Sequence, residues 1–180
     1  MQAPSGNNNQ AASDATGVAR EIGKRGPFSS REHETFINLV RAHEAAMDPV
    51  RRLLREHGLS SAHYNILRIL RGHAEDPASR EAGGLAVQRI AQHMLTREPD
   101  MTRLIDRLEK LGLVSRDRST TDRRVVLVRI EPEGARLASD LEPAIDRLHR
   151  EQFAHMEPED VSRLNGLLFK ARPPEPDDRA

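Results

Sequence analysis

The fold of this chain is decided by residues 85–130, LAVQRIAQHMLTREPDMTRLIDRLEKLGLVSRDRSTTDRRVVLVRI. Between residues 99 and 111, apolar side chains recur at the spacing of a helix with one buried face. Gly112 then stands where a helix needs a left-handed residue to end. We therefore predict a helix over 99–111. Its apolar stripe consists of Met101, Leu104, Ile105, Leu108 and Leu111, and its polar face of Asp100, Thr102, Arg103, Asp106, Arg107 and Lys110.

The residues after this helix have the composition of a two-stranded ribbon. Residues 113–116 and 125–130 are rich in β-branched side chains, which favour strands. The link between them, residues 117–124, is polar and mostly basic, so it is predicted to be a charged turn. The short segment 85–87 is predicted to add a third strand to this small sheet.

A second helix is predicted just before the first one. Residues 88–95 place Ile90, Ala91 and Met94 at inward positions, and residues 96–98 form a turn. Pro99 suits the first turn of the helix that follows. Two helices joined by a turn, followed by a basic ribbon, are the outline of a winged helix-turn-helix. The sequence therefore predicts a mainly α fold with a small β wing and a DNA-binding function.

The distribution of charge agrees with this outline, although the whole chain has a formal net charge of zero over 180 residues. Residues 85–130 hold ten Arg or Lys against six Asp or Glu, a net of +4. Residues 141–180 hold six basic and nine acidic residues, a net of −3. A basic module beside acidic parts is typical of a local phosphate-binding face.

Several classes of protein are excluded by composition. The chain has no cysteine, which excludes disulfides, thiolate metal sites and cysteine-based redox sensing. It has four Phe, one Tyr and no Trp, too few for an aromatic platform that binds single-stranded nucleic acid. We find no run of about 18 apolar residues and no signal-peptide pattern, so we expect a cytoplasmic protein with no membrane partner.

The length suggests one domain with extensions, which we divide into five segments. Residues 1–27 are predicted to be a disordered or loosely docked tail, with a short helix near 18–22 as the alternative. Residues 28–57 form an N-terminal dimerisation helix that starts at a capping box of Ser29 and Glu32. The DNA-binding lobe follows at 58–131, C-terminal dimerisation helices at 132–172, and an acidic tail at 173–180.

The first and last helices carry long apolar stripes that a small winged helix cannot cover by itself. The simplest way to bury them is against a second copy of the chain, as a two-fold homodimer. Such a dimer would set two recognition helices roughly 34 Å apart, about one turn of double-stranded DNA, on a pseudo-palindromic operator.

The eight histidines raise the question of a metal. His33-Glu34 and His43-Glu44 begin like zinc-protease motifs, but Ile37 and Met47 occupy the positions of the second histidine. We therefore expect no metal and no cofactor. No nucleophile–base arrangement and no phosphate loop can be located either, so the sequence does not favour an enzyme.

The string TRLIDRLEKLGLV at 102–114, followed by DRRVVL at 122–127, resembles the MarR family of bacterial transcription regulators. The EGAR start of one C-terminal helix at 133–136 and the EPED start of the next at 157–160 are also similar to that family. The resemblance covers residues 28–172. It implies an obligate dimer that regulates nearby genes, most often as a repressor.

The resemblance also assigns the interface with DNA. It implies that the start of the recognition helix enters the major groove and that the wing arginine, Arg124, enters the minor groove. Asp122 would orient Arg124 through a charge-assisted hydrogen bond. Asp100 departs from the Ser or Thr common in the family and could accept a hydrogen bond from a cytosine amino group. The complete set of candidate DNA-binding residues is Arg97, Asp100, Thr102, Arg103, Arg107, Arg118, Asp122, Arg123 and Arg124.

A small-molecule effector is also implied, because members of the family often bind small aromatic acids between the dimer helices and the DNA-binding lobe. His43 and His63 lie near apolar faces of two helices and are either core residues or part of such a pocket. Cationic and apolar groups together suit an anionic, lipophilic ligand. The candidate ligand-binding residues are Arg41, His43, Met47, His63, Tyr64 and Leu67.

Two rival functions remain open. A winged helix can also dock a protein instead of DNA, and in that case the basic residues of the wing would not affect DNA affinity. An enzyme would be revealed by turnover of a substrate. DNA binding by the purified protein separates the favoured function from both rivals.

Overall fold

The computed structural model describes residues 17–75, 83–119 and 122–172. The chain forms two compact units, one up to Pro49 and the other from Val50 onward. Residues 1–16 of the predicted tail at 1–27, residues 76–82 and 120–121, and the predicted acidic tail at 173–180 lie outside the described residues.

The order of the elements matches the predicted outline of helices around a small sheet. They are α1 (Gly17–Glu21), α2 (Arg31–Glu56), α3 (Ser61–Glu75), β1 (Leu85–Ala86), α4 (Val87–His93), α5 (Met101–Lys110), β2 (Val114–Arg118), β3 (Val126–Ile130), α6 (Pro132–Phe153) and α7 (Pro158–Lys170).

The first unit contains α1 and most of α2. Helix α1 corresponds to the alternative prediction of a short helix near 18–22, and its Val18 and Ala19 are buried. Helix α2 begins one residue later than the predicted capping box. The Oγ atom of Ser30, rather than that of Ser29, accepts a hydrogen bond from the backbone N–H of His33 at 3.1 Å. The predicted pairing of Ser29 with Glu32 is therefore wrong by one position.

The core of the second unit is built around α3, which packs against α4, α5, α6 and β3. Its fully buried side chains are all apolar, as expected for the main hydrophobic cluster of a small lobe. The largest of them are Leu54, Ile66, Leu67, Ile90, Ile105, Leu108 and Val128.

The sheet has the antiparallel order β1-β3-β2, which confirms the prediction of a third strand at the edge. Leu85 of β1 pairs with Val128 of β3. Gly112 has a φ of +70° and ends the helix before β2, as predicted. Strand β2 runs two residues farther than predicted, because Asp117 and Arg118 continue the pairing with β3.

Two predicted helix boundaries of the helix-turn-helix differ from the observed ones. Helix α4 ends at His93, and Ala91, predicted to point inward, is exposed. Helix α5 begins at Met101 rather than at Pro99, because Asp100 is its N-cap residue.

Candidate DNA-binding interface

Helix α5 is held in the lobe by its apolar face. Met101, Ile105 and Leu108 are buried in the core, which fixes the rotation of the helix about its axis. Thr102 and Arg103 are therefore exposed on the first turn of the helix. This arrangement leaves the polar face of α5 available to a partner.

Asp100 caps α5, which changes the role predicted for it. One carboxylate oxygen, Oδ1, accepts a hydrogen bond from the backbone N–H of Arg103 at 3.0 Å. An N-cap carboxylate satisfies an otherwise unpaired donor and is stabilised by the positive end of the helix dipole. The side chain is exposed, so base contact by Asp100 stays a prediction, but its local role is that of a cap.

The wing turn is closed by its own side chains. Arg118 donates a hydrogen bond from Nη1 to the carbonyl oxygen of Arg123 at 3.1 Å. Asp122 Oδ1 accepts a hydrogen bond from the backbone N–H of Arg124 at 2.9 Å. This bond from an amide to a carboxylate is the charge-assisted hydrogen bond predicted between the two residues, and it orients the main chain at Arg124. The side chains of Arg123 and Arg124 are exposed.

An ion-pair cluster that the sequence does not predict joins the wing to α5. Arg116 of β2 pairs with Asp106 of α5, and its Nε donates to Glu109 Oε2 at 3.1 Å. The hydrogen bond to Asp106 raises the pKa of Arg116 above its ordinary value. Arg116 lies seven residues after Glu109 and ten after Asp106, on a different element, so helical periodicity does not predict these pairs. They form because β2 packs alongside α5 in the folded lobe.

Two sets of arginines in the lobe differ in their ion pairing. Arg116 and Arg129 are paired with carboxylates, the latter with Asp117. The other group has no carboxylate ion pair among residues 17–75, 83–119 and 122–172 and is exposed in α5, in the turn before it and in the wing. It comprises Arg97, Arg103, Arg107, Arg123 and Arg124. Unpaired guanidinium groups keep their full capacity to bind phosphate or a base edge.

The candidate ligand-binding residues are divided between the two compact units. Arg41 forms an exposed ion pair with Glu21 at 3.4 Å in the first unit, where His43 is exposed and Met47 is half-buried. Leu67 in the second unit is fully buried in the core. The pocket predicted from these residues therefore stays a prediction.

The remaining two candidates, His63 and Tyr64, lie on the first turn of α3. His63 Nδ1 accepts a hydrogen bond from the backbone N–H of Ser60 at 3.2 Å, and Ser60 Oγ accepts one from the N–H of His63 at 3.2 Å. This is a capping box with histidine in the place of glutamate. Burial lowers the pKa of His63, the charge of Arg107 lowers it further, and Glu98 opposes them. Burial raises the pKa of Tyr64.

The described residues contain no group of three or more His, Asp or Glu side chains arranged to hold a metal ion. Among the same residues, no helix is both long enough and apolar enough to cross a membrane.

Comparison with known proteins agrees with this architecture. The sequence model of the MarR family matches residues 59–126. The MarR transcription factor from Planctomyces limnophilus is 33% identical, with 81% of this chain and 100% of that chain covered and a TM-score of 0.56. The homoprotocatechuate degradative operon repressor of Escherichia coli is 29% identical over 132 residues, which are 73% of this chain and 83% of the repressor.

A third similar protein was solved with a ligand. This protein is NadR, whose structure was solved in complex with 4-hydroxyphenylacetate. Its sequence is 28% identical to this chain, the match covers 80% of this chain and 96% of that chain, and the TM-score is 0.57. The winged lobe, its unpaired arginines and these similarities lead to one assignment. The chain belongs to the MarR family of transcription regulators.

Proposed function

We propose that this protein is a homodimeric repressor that binds a pseudo-palindromic operator in double-stranded DNA. The observation that carries the proposal is the set of exposed, unpaired arginines on α5 and the wing, described above. Helix α5 is the recognition helix in the major groove, and the wing contacts the minor groove. Because bacterial DNA lies in the cytoplasm, the proposal implies that the protein acts there. It also implies that the protein acts by binding DNA and not by catalysing a reaction.

Within this proposal, the residues have different roles. Thr102, Arg103 and Arg107 are placed on the polar face of the recognition helix, where side chains reach base edges or phosphates. Arg124 at the wing supplies a cation to the narrow minor groove, and Arg123 and Arg97 contact the DNA backbone. Arg118, Asp122 and Asp100 shape the wing turn and the helix start through the hydrogen bonds given above.

The homodimer is supported by apolar side chains that the single chain leaves exposed. Helix α7 has no buried residue, although it carries Leu167, Leu168 and Phe169. In the first unit, Phe36 and Val40 of α2 are 61% and 45% exposed. A second copy of the chain offers matching apolar surface, and covering these side chains is favourable by about 25 cal/mol per Å².

Repression and its release by a ligand are supported by two relatives. One is a repressor of a degradative operon, and the other binds 4-hydroxyphenylacetate. We propose that a small aromatic acid binds this protein and favours a dimer state with lower DNA affinity. The ligand acts only to the extent that it binds the two states with different affinities.

The test is a footprint of the purified protein on the DNA upstream of its own gene, in the presence of scrambled competitor. The proposal expects protection of two half-sites whose centres are roughly 34 Å apart, and affinity that falls steeply with salt. Weak binding that is equal for both DNAs would contradict it and favour the protein-docking alternative. Sedimentation analysis of the same sample checks the dimer.

A further inference from the structure

One arginine of α3 reaches across to α6, the helix that follows the wing. The Nη2 atom of Arg71 donates a hydrogen bond to Glu142 Oε2 at 2.8 Å, and its Nη1 donates one to Ser139 Oγ at 3.2 Å. The carboxylate of Glu75, on the same helix as Arg71, lies 3.6 Å from its Nε. Because the guanidinium is planar and bonds two residues of α6 at once, it restrains the direction of α6 as well as its distance from α3.

This contact is better protected from solvent than the two ion pairs of the wing. The side chain of Arg71 is 16% exposed, against 23% for Arg116 and 53% for Arg129. Opposite charges attract each other more strongly where water is partly excluded, and salt screens such pairs less. The contact between Arg71 and α6 is therefore expected to persist at the ionic strength at which the protein works.

The two acceptors belong to the one turn of α6 that contains a proline. Pro143 directly follows Glu142 and stands four residues after Ser139. A proline inside a helix has no N–H to donate to the carbonyl four residues earlier, and its ring pushes against that carbonyl, so the helix is weakened at this turn. Arg71 bonds the side chains of this same turn. It thus supplies, from α3, a restraint that the backbone of α6 lacks.

Near Pro143, α6 passes from the lobe into solvent. Its buried residues, Gly134, Ala138, Leu141 and Ile145, all lie at or before position 145. None of residues 146–153, all of which the structure describes, is buried, and neither is any residue of α7. Helix α7 carries apolar side chains assigned above to the homodimer. The direction in which α6 leaves the lobe therefore determines where the lobe of the partner lies.

We propose that Arg71 is a positioning residue for DNA recognition, which holds α6 at Ser139 and Glu142 and thereby sets the half-site spacing that the dimer accepts. The inference rests on the dimeric, operator-binding function proposed above and adds the residue that sets its geometry. In this role Arg71 needs no contact with DNA. One base pair added between two half-sites moves them apart by about 3.4 Å and rotates one about the DNA axis, so a dimer with restrained lobes should reject it.

The first test compares the upstream duplex protected in the footprint with two duplexes that have one base pair more or fewer between the half-sites. We expect the wild type to bind the two altered duplexes at least about thirtyfold more weakly, and Arg71→Gln to reduce this penalty by at least about fivefold. Arg71→Lys keeps the charge but cannot bond both acceptors in one plane, so its penalty should be intermediate. A ratio is measured because a variant that is partly unfolded loses affinity for all three duplexes alike.

Arg136→Gln is the matched control. Arg136 also forms ion pairs on α6, but its partners, Glu133 and Asp140, belong to the same helix. The substitution removes one positive charge from α6 without breaking a bond to α3, so it should leave the spacing penalty as in the wild type. Glu142→Ala breaks the proposed contact from its more exposed end and should act like Arg71→Gln. It replaces Arg71→Gln if thermal unfolding shows that the latter is not folded.

A second test needs no DNA. The chain has no cysteine, so Lys110→Cys, at the exposed end of α5, places one spin label on each protomer. Pulsed electron spin resonance then gives the distribution of distances between the two labels in the dimer. We expect Arg71→Gln and Glu142→Ala to broaden or displace this distribution, and Arg136→Gln to leave it unchanged.

Three results would overturn the role of Arg71. They are a spacing penalty that Arg71→Gln and Glu142→Ala leave unchanged, a distance distribution that they leave unchanged, and an equal effect of Arg136→Gln, which would assign the change to the charge of α6. Failure of the proposed function is distinguished by the wild type, which would then show no footprint or no dimer. A wild type that binds its operator as a dimer, with the same spacing penalty in Arg71→Gln, contradicts only this inference.

Discussion

Arg116 and Glu109 lie 3.1 Å apart, from Nε to Oε2, and this contact joins the wing to the recognition helix. Asp106, one turn earlier on the helix, pairs with the same guanidinium. A single guanidinium of the wing thus pairs with two carboxylates of the helix and offsets one of their two negative charges. The side chain of Arg116 therefore affects both the distance between α5 and the wing and the charge of the surface that they form.

The first prediction concerns this cluster. Arg116→Gln should lower DNA affinity by about tenfold, because it exposes two unpaired carboxylates to the phosphates. The free energy of unfolding should fall by only about 1 kcal/mol or less, since both acidic partners are more than a third exposed. Arg129→Gln, which breaks a pair with Asp117 on the same sheet, is the matched control. If Arg129→Gln lowered DNA affinity as much as Arg116→Gln, the loss would come from removing one positive charge and not from breaking the cluster at α5.

A second prediction separates the wing from the recognition helix. Arg124→Ala should weaken binding to all duplexes alike and reduce the slope of log K against log salt by about 0.9. Arg103→Ala should cost about 1–3 kcal/mol on the operator and also relax the preference at one base pair. Binding assays on the operator and on single-base variants measure both effects. An unchanged salt slope in Arg124→Ala would remove Arg124 from the interface.

The helix that follows the wing gives a third prediction. A Cβ atom at Gly134 would overlap the carbonyl oxygen of Leu113 and lie 3.2 Å from Ile130 Cγ1. Gly134→Ala should therefore destabilise the protein by about 2–3 kcal/mol in chemical denaturation. Gly72 of α3 meets nothing within 4 Å, so Gly72→Ala should be neutral or stabilise by about 0.5–1 kcal/mol. Similar stabilities of the two variants would refute this account of the contact.

A fourth prediction concerns pH. His63 accepts the hydrogen bond from Ser60 only when Nδ1 is unprotonated, and its Nε2 is buried without a partner in the described residues. Its pKa in the folded protein lies below the ordinary value of 6.5, mainly through burial and also through Arg107. Protonation therefore favours the unfolded chain. The contribution of His63 to the free energy of unfolding is fully present above pH 6.5 and is lost as the pH falls through the lowered pKa.

The measurement for this prediction is the free energy of unfolding between pH 5 and 8. His63→Gln keeps a capping side chain but cannot titrate, so it should flatten the acid limb of the curve. Ser60→Ala removes the hydroxyl that caps the N–H of His63 but keeps the imidazole, so it should lower stability at every pH without flattening the acid limb. A wild-type curve that His63→Gln does not change would show that this histidine is not the group responsible.

Much of the lobe could be predicted because its local signals agree with its tertiary packing. The stripe of Met101, Ile105 and Leu108 predicts the buried face of α5, and Gly112 predicts its end. The start of α5 was misplaced because Pro99 fits a first helical turn, whereas Asp100 competes for the same position as an N-cap. The sequence is compatible with a helix that starts at Pro99 and with one that starts after an N-cap at Asp100. The non-helical backbone conformation of Asp100 shows that the second is formed.

The candidate site was less predictable, because the sequence does not distinguish paired from unpaired charges. Arg116 and Arg124 are both arginines of the wing, yet one is neutralised by α5 and the other is exposed. That difference arises from the alignment of β2 with α5, which is a long-range property.

The central claim is that the unpaired arginines of α5 and the wing bind operator DNA specifically. The most direct measurement is a fluorescence-anisotropy titration of the upstream duplex and a scrambled duplex with the wild type and with the double variant Arg103→Ala/Arg124→Ala. We predict that the wild type prefers the upstream duplex by at least about a thousandfold and that the double variant loses most of this preference while remaining folded. Equal affinities of wild type and double variant for the upstream duplex would contradict the account.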